Sequence, residues 1–176
     1  AASRSVPVYV SVYKPHADGS YSWELVVEKI KAATTSKTKI IIFSNPWNPL
    51  GVIVPQATIR ELLIWCEERG IYLVVDEAYR DYAFESGYET VLPLVNQSEW
   101  LICASTFSKN MAMSGWRIGF LVAPQRMNKA LASMQDALLN CLNNTAQFAA
   151  IYALEHPEFT HHFSTIVRQN RDLTMH

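Results

Sequence analysis

The chain has 176 residues, and its 15 lysines and arginines nearly balance 16 aspartates and glutamates. That length suffices for one domain with a sizeable core, and the near-zero net charge excludes a polybasic nucleic-acid surface, an acidic tail and a basic membrane-surface helix. The longest apolar runs, such as Ile71 to Val75, are strand-length and too short to cross a bilayer. Three scattered cysteines, Cys66, Cys103 and Cys141, argue against a disulfide framework and for a reducing, cytoplasmic setting. Cys66 and Cys103 sit in apolar segments and read as core filler. The start, Ala1-Ala-Ser-Arg-Ser5, has no apolar stretch of a signal peptide. The first residue is not Met, and the chain stops at Arg171-Asp-Leu-Thr-Met-His176 within a polar helical pattern. Both ends therefore read as cut from a longer protein.

In chain order, Val6 to Val12 alternates and is predicted as a strand. Ser22 to Ala33 carries Leu25, Val26 and Ile30 at helical spacing. Lys39 to Phe43 holds Ile-Ile-Ile-Phe, a continuous apolar run typical of a buried parallel strand. Ala57 to Arg69 returns to helical spacing, and Gly70 is a natural stop. Ile71 to Val75, Glu99 to Ala104 and Trp116 to Val122 read as further strands. Pro124 to Glu155 reads as one long or two shorter helices broken near Asn143-Asn144, and Pro157 begins a last helix. Strands alternating with amphipathic helices imply an α/β fold with a mainly parallel, mixed sheet covered by helices on both faces.

Such sheets place ligands beyond the carboxyl ends of their strands, so the segments after each strand matter most. After Phe43 comes Asn45-Pro-Trp-Asn-Pro-Leu-Gly51. After Val75 comes Asp76-Glu-Ala-Tyr79. After Ala104 comes Ser105-Thr-Phe-Ser-Lys109, then Gly115-Trp-Arg-Ile-Gly119. Three polar clusters thus fall at one end of one sheet. Taken singly, each has an ordinary reading: a turn at Asn45–Gly51, a cap at Asp76, a solvated amine at Lys109. Trp47 reads as packing, and Tyr82 and Phe84 as covers of a strand end. The adjacent His161 and His162 point to different helix faces and do not suggest a metal site.

Taken together, the three segments resemble the class I/II aminotransferases, fold-type I enzymes that use pyridoxal 5'-phosphate. Asn45 to Gly51 is similar to the family's Asn-Pro-x-Asn-Pro-Thr-Gly loop, and Asp76 to Tyr79 to its Asp-x-x-Tyr element. Ser105 to Lys109, with Arg117 eight residues after the lysine, is similar to its lysine signature. The resemblance covers nearly the whole chain, residues 1–176, as the central part of the cofactor-binding large domain. It places the N-terminal segment and the C-terminal small domain outside this chain. It implies that Lys109 forms the Schiff base and later moves the substrate's α-proton, and that Asp76 pairs with the protonated pyridine nitrogen. It implies further that Tyr79 and Asn48 bond the ring's 3'-oxygen, that Thr106, Ser108 and Arg117 hold the phosphate, and that the Asn48–Pro49 bond is cis. Transfer of an amino group between an amino acid and a 2-oxo acid, by a homodimer in the full-length enzyme, is the implied activity. No metal, nucleic acid or membrane enters it.

The chemistry of these residue types agrees with those roles. A carboxylate such as Asp76 favours the cationic ring nitrogen that makes the cofactor an electron sink. Arg117 offers a planar fork to a phosphate, and the hydroxyls of Thr106 and Ser108 add to the cradle. A neighbouring cation and partial desolvation favour the neutral, nucleophilic amine at Lys109. Leu50 stands where the family carries Thr, and Thr106 where Ser is commoner. The aromatic residue that stacks on the ring and the arginine that binds the substrate's α-carboxylate are expected outside this chain, so the chain alone is expected to turn over amino acids poorly. Three alternatives stay open: a C–S lyase, a decarboxylase, or a truncated module without activity. A nucleotide hydrolase, a dinucleotide-binding domain and a Ser-His-Asp hydrolase each lack their glycine-rich or serine motif.

Overall fold

The computed structural model of the protein describes residues 5–85 and 87–175. Its centre is a four-stranded sheet of β3 (Ile40–Ser44), β4 (Tyr72–Asp76), β5 (Leu101–Thr106) and β6 (Gly119–Val122), in that spatial order. β3, β4 and β5 are parallel, and β6 runs antiparallel to β5. The sheet is therefore mixed and mainly parallel, as the buried apolar runs imply. A separate hairpin pairs β1 (Tyr13–Pro15) with β2 (Tyr21–Trp23).

Among the described residues the α-helices are, in chain order, α1 (Val27–Ala33), α2 (Gln56–Glu67), α3 (Leu92–Val95), α4 (Asn128–Leu139), α5 (Asn144–Glu155) and α6 (Glu158–Thr174). α2 ends where the glycine sits. Gly70 takes φ +64° and the Ile71 N–H reaches back to the Cys66 carbonyl at 3.0 Å, which satisfies an orphan carbonyl of the last turn. The break between α4 and α5 has a matching cause. Asn140 takes φ +60°, and the Asn143 side chain accepts the Ala146 N–H as an N-cap.

Two expectations fail in the N-terminal part. Val6 to Val12 is not a strand; within that stretch only Val10 and Val12 pack on the core. The helix expected from Ser22 begins at Val27, because residues 21–23 pair in the hairpin and the Glu24 N–H bonds the Val12 carbonyl at 2.9 Å. Backbone pairing there overrides the helical spacing of Leu25 and Val26. The last strand also starts later than expected, at Gly119 rather than Trp116.

The main core lies between one sheet face and α1, α2 and α3. Ile59, Leu62, Cys66, Leu73, Val75, Val91, Leu101 and Cys103 are fully buried in it. Each such Leu, Ile or Val contributes roughly 1.5–3 kcal/mol by burial. Trp47 belongs to this cluster, so it packs rather than lining a site. A smaller cluster joins Phe107, Met113 and Ile118 to Ala146, Ala150 and Ala153 of α5, which seats α5 on the segment after β5. On the second sheet face Ile40, Ile42 and Leu121 are exposed. No described helix is long and apolar enough to cross a membrane.

Burial pushes the thiols of Cys66 and Cys103 from the ordinary 9.0 up to about 12, whereas Cys141 is exposed. The folded chain therefore keeps protons on two thiols that the unfolded chain releases near 9.0. That stabilisation is complete below pH 9 and declines as the pH rises toward 12. Iodoacetamide at about pH 8 should alkylate Cys141 in the native chain, and Cys66 and Cys103 only after unfolding, because the thiolate is the nucleophile. Peptide mass mapping checks this.

Candidate functional site

The register of the sheet decides which groups meet. Ser44 lies beside Asp76, and Asp76 beside Ala104. The pairing runs one residue past the strands: Asn45 N–H bonds the Asp76 carbonyl and Glu77 N–H bonds the Ala104 carbonyl, both at 2.8 Å. β6 is antiparallel and places Gly119 beside Thr106. All three polar segments therefore open from the same edge of the sheet.

The two asparagines of the first segment do different work. Asn45 is fully buried, accepting the Val54 N–H at 2.9 Å and donating Nδ2 to the Val54 carbonyl at 3.3 Å. With the Trp47 N–H on the Val52 carbonyl at 2.9 Å, these bonds close the loop into a fixed shape. Asn48 is exposed and points its Nδ2 at the Tyr79 hydroxyl, 3.2 Å away. Both the Asn45–Pro46 and the Asn48–Pro49 bonds are cis.

In the second segment the half-buried Asp76 accepts the Ala78 N–H on one oxygen at 2.9 Å. No described residue bonds its other oxygen. Its neighbour Glu77 is fully buried and accepts the Thr90 hydroxyl at 2.6 Å and the Val91 N–H at 2.7 Å. Glu77 thus holds the segment leading into α3, a structural role that spacing alone does not separate from that of Asp76. The alternating faces of β4 are the signal that does: Asp76 follows Val74 onto the sheet face opposite Leu73 and Val75.

The third segment brings the amine. Lys109 Nζ stands 5.3 Å from the centre of the Tyr79 ring, and no described acceptor bonds it. Ser108 N–H donates to the Thr106 hydroxyl oxygen at 3.1 Å, the two hydroxyls are 2.9 Å apart, and the Thr106 hydroxyl reaches the Ile118 carbonyl at 3.2 Å. Arg117 is exposed, has φ +53° and donates to the Ser114 carbonyl at 2.9 Å. Its guanidinium makes no bond to Thr106 or Ser108 among the described residues, although the next residue, Ile118, is tied to Thr106. Gly119 closes the motif for a steric reason. A Cβ there would sit 2.6 Å from the Ser105 carbonyl oxygen.

Asn48 and Lys109 thus meet at Tyr79, Asp76 ends the strand that leads into Tyr79, and Thr106 and Ser108 form a second, hydroxyl-bearing group on the same segment as Lys109. The set offers an amine, a carboxylate oxygen that no described residue bonds, a phenol with an amide, two hydroxyls, and an arginine next in sequence to the residue whose carbonyl accepts the Thr106 hydroxyl. That donor set fits a flat, cationic heterocycle carrying an aldehyde and a phosphate. Among the described residues no cluster of His, Cys, Asp and Glu could hold a metal ion.

The two asparagines should separate stability from binding. Asn45→Ala leaves the buried N–H and carbonyl of Val54 without partners and should lower stability by about 1–3 kcal/mol. Asn48→Ala, at an exposed position, should change it by less than about 0.5 kcal/mol. Urea unfolding of both variants checks the contrast.

Comparison with known proteins gives this arrangement a context. The description "Aminotransferase class I and II" matches residues 1–174. An aspartate aminotransferase of Sulfurisphaera tokodaii is 29% identical over 168 residues, covering 96% of this chain and 41% of that protein. The solved aspartate aminotransferase of Thermus thermophilus, as a double mutant, superposes with a TM-score of 0.78 at 29% identity, over 87% of this chain and 41% of that one. An aromatic aminotransferase of Pyrococcus horikoshii gives 0.77 at 26% identity, over 86% and 41%. The chain therefore spans about two fifths of the length of such relatives. Matched along almost its whole length, and carrying the lysine, aspartate and asparagine–proline segments at one sheet edge, the chain belongs to the aminotransferase class I and II family.

Proposed function

We propose that the sheet edge binds pyridoxal 5'-phosphate, and that the longer protein to which this fold belongs transfers an amino group between an amino acid and a 2-oxo acid. The observation that supports this most is Lys109 Nζ, 5.3 Å from the Tyr79 ring and without a bonded acceptor among the described residues, at the edge where no described residue bonds the second carboxylate oxygen of Asp76. A half-buried amine that no described acceptor holds is available to attack an aldehyde. The cofactor, when bound, withdraws electrons from the substrate's α-carbon.

The chain's own residues have distinct tasks in this reading. Lys109 would hold the cofactor by its aldehyde carbon and would carry the substrate's α-proton. Asp76 places negative charge against the ring nitrogen and keeps its proton on. Tyr79 and Asn48, already 3.2 Å apart, hold the ring's hydroxyl oxygen between them. Thr106 and Ser108 would donate hydroxyls to the phosphate, and Arg117 would exchange the uncharged Ser114 carbonyl for an acceptor of opposite charge. We read the chain as the central part of the large domain, and assign to the complete protein a homodimeric state and a cytoplasmic setting. The names of the relatives favour an aspartate-like or aromatic amino-acid substrate.

The purified chain mixed with pyridoxal phosphate should develop a new visible absorbance band. Lys109→Ala should lose it entirely, and Asp76→Ala should shift its protonation to lower pH. A band unchanged in Lys109→Ala would sink the assignment. Arg117→Gly gives a second check. Gly accepts φ > 0 where Arg is strained, so stability should hold or rise by up to about 1 kcal/mol, while the affinity for pyridoxal phosphate falls roughly tenfold or more. Thermal melting and absorbance titration read the two effects separately.

A further inference from the structure

Two hydrogen bonds join the turn after β4 to the segment that carries Lys109. The Tyr82 hydroxyl donates to the backbone carbonyl of Lys109 at 2.5 Å, and Asn110 Nδ2 donates to Asp81 Oδ2 at 2.6 Å. A carbonyl can only accept, so the Tyr82 phenol must keep its proton. Burial pushes that phenol upward, and the neighbouring Asp81 and Tyr79 push it the same way. Asn110 is buried, and its Oδ1 has no partner among the described residues. Turning the amide over would set that oxygen against the Asp81 carboxylate, so Asp81 fixes the side chain's orientation as well as its place.

The lysine segment depends on outside support. It borders a cavity of about 380 Å³, lined among others by Arg80, Thr106, Asn110, Thr160 and His161, and so lacks close packing on that side. It also contains Ala112 at φ +52°, a strained conformation for an L-residue that lasts only where neighbours enforce it. Tyr82 and Asp81 sit on the short turn Arg80–Tyr82 that follows Asp76 and Tyr79. Their bonds therefore reference the lysine backbone to the same turn that bears its proposed partners.

We propose that Asp81 and Tyr82 are positioning residues: they clamp the Lys109–Asn110 backbone so that Nζ is presented over the Tyr79 ring. The proposal rests on the reading of Lys109 as the cofactor's lysine. The clamp acts on attachment, in which the Lys109 nitrogen bonds the aldehyde carbon and the aldehyde oxygen leaves as water.

The test is the rate of attachment of pyridoxal phosphate to the full chain, followed by absorbance, alongside amide hydrogen exchange without cofactor. Tyr82→Phe should slow attachment about fivefold to tenfold, the worth of one hydrogen bond, and raise exchange at residues 107–113 but not in β4 or α2. Asp81→Ala should do the same, and Asp81→Asn, which keeps an acceptor for Asn110, should restore the rate. Attachment at the unaltered rate in both Tyr82→Phe and Asp81→Ala would overturn the clamp. So would slowing that appears only with exchange raised throughout the chain, or failure of Asp81→Asn to restore. If the unaltered chain attaches no cofactor, the reading of Lys109 fails, and exchange at residues 107–113 alone decides whether the clamp exists.

Discussion

In-register pairing of three parallel strands, with Ser44 beside Asp76 beside Ala104, sets where every polar group of the proposed site can stand. A slip of one residue would turn each strand's side chains to the opposite face, sending Asp76 toward the core and bringing a valine to the edge. The register is guarded from both sides. Leu73, Val75, Leu101 and Cys103 bury one face completely, and the first residues past the strands, Asn45 and Glu77, continue the ladder with their own N–H groups. Segments far apart in sequence can therefore meet at one edge, without any single segment carrying the site.

A division of labour runs through the motifs. Asn45, Glu77 and Gly119 serve the frame: two are fully buried polar side chains with their bonds completed, and the third lets β6 approach the Ser105 carbonyl. Asn48, Asp76 and Lys109 lie beside them in sequence but keep bonding capacity in reserve. Asn48 is exposed and Asp76 and Lys109 are half-buried, so their unused bonding capacity at the carboxyl edge of a parallel sheet is open to a ligand. It coincides with the position where ligands meet such sheets.

Much of this was legible in the sequence for physical reasons. β3, β4 and β5 stand out as continuous apolar runs, and Gly70 marks the end of α2. The β1–β2 hairpin was not legible, since its strands are three residues each and largely exposed, giving periodicity nothing to register. The spacing of Leu25 and Val26 suggested a helix from Ser22, which pairing of residues 21–23 in the hairpin delays to Val27. Within the motifs, spacing identified the asparagine, aspartate and lysine positions but could not tell Asn45 from Asn48, which differ only in burial. Tyr82 read as a cover for the strand end. Its bond to the Lys109 carbonyl depends on tertiary placement of two turns, which no local pattern encodes.

The most direct test of the central claim is chemical trapping. The chain is incubated with pyridoxal phosphate, reduced with borohydride, digested and mapped by mass spectrometry. The account predicts that the pyridoxyl group is found on the peptide carrying Lys109, in about equimolar amount. Labelling spread over exposed lysines such as Lys14 and Lys37, with Lys109 unmodified, would contradict it.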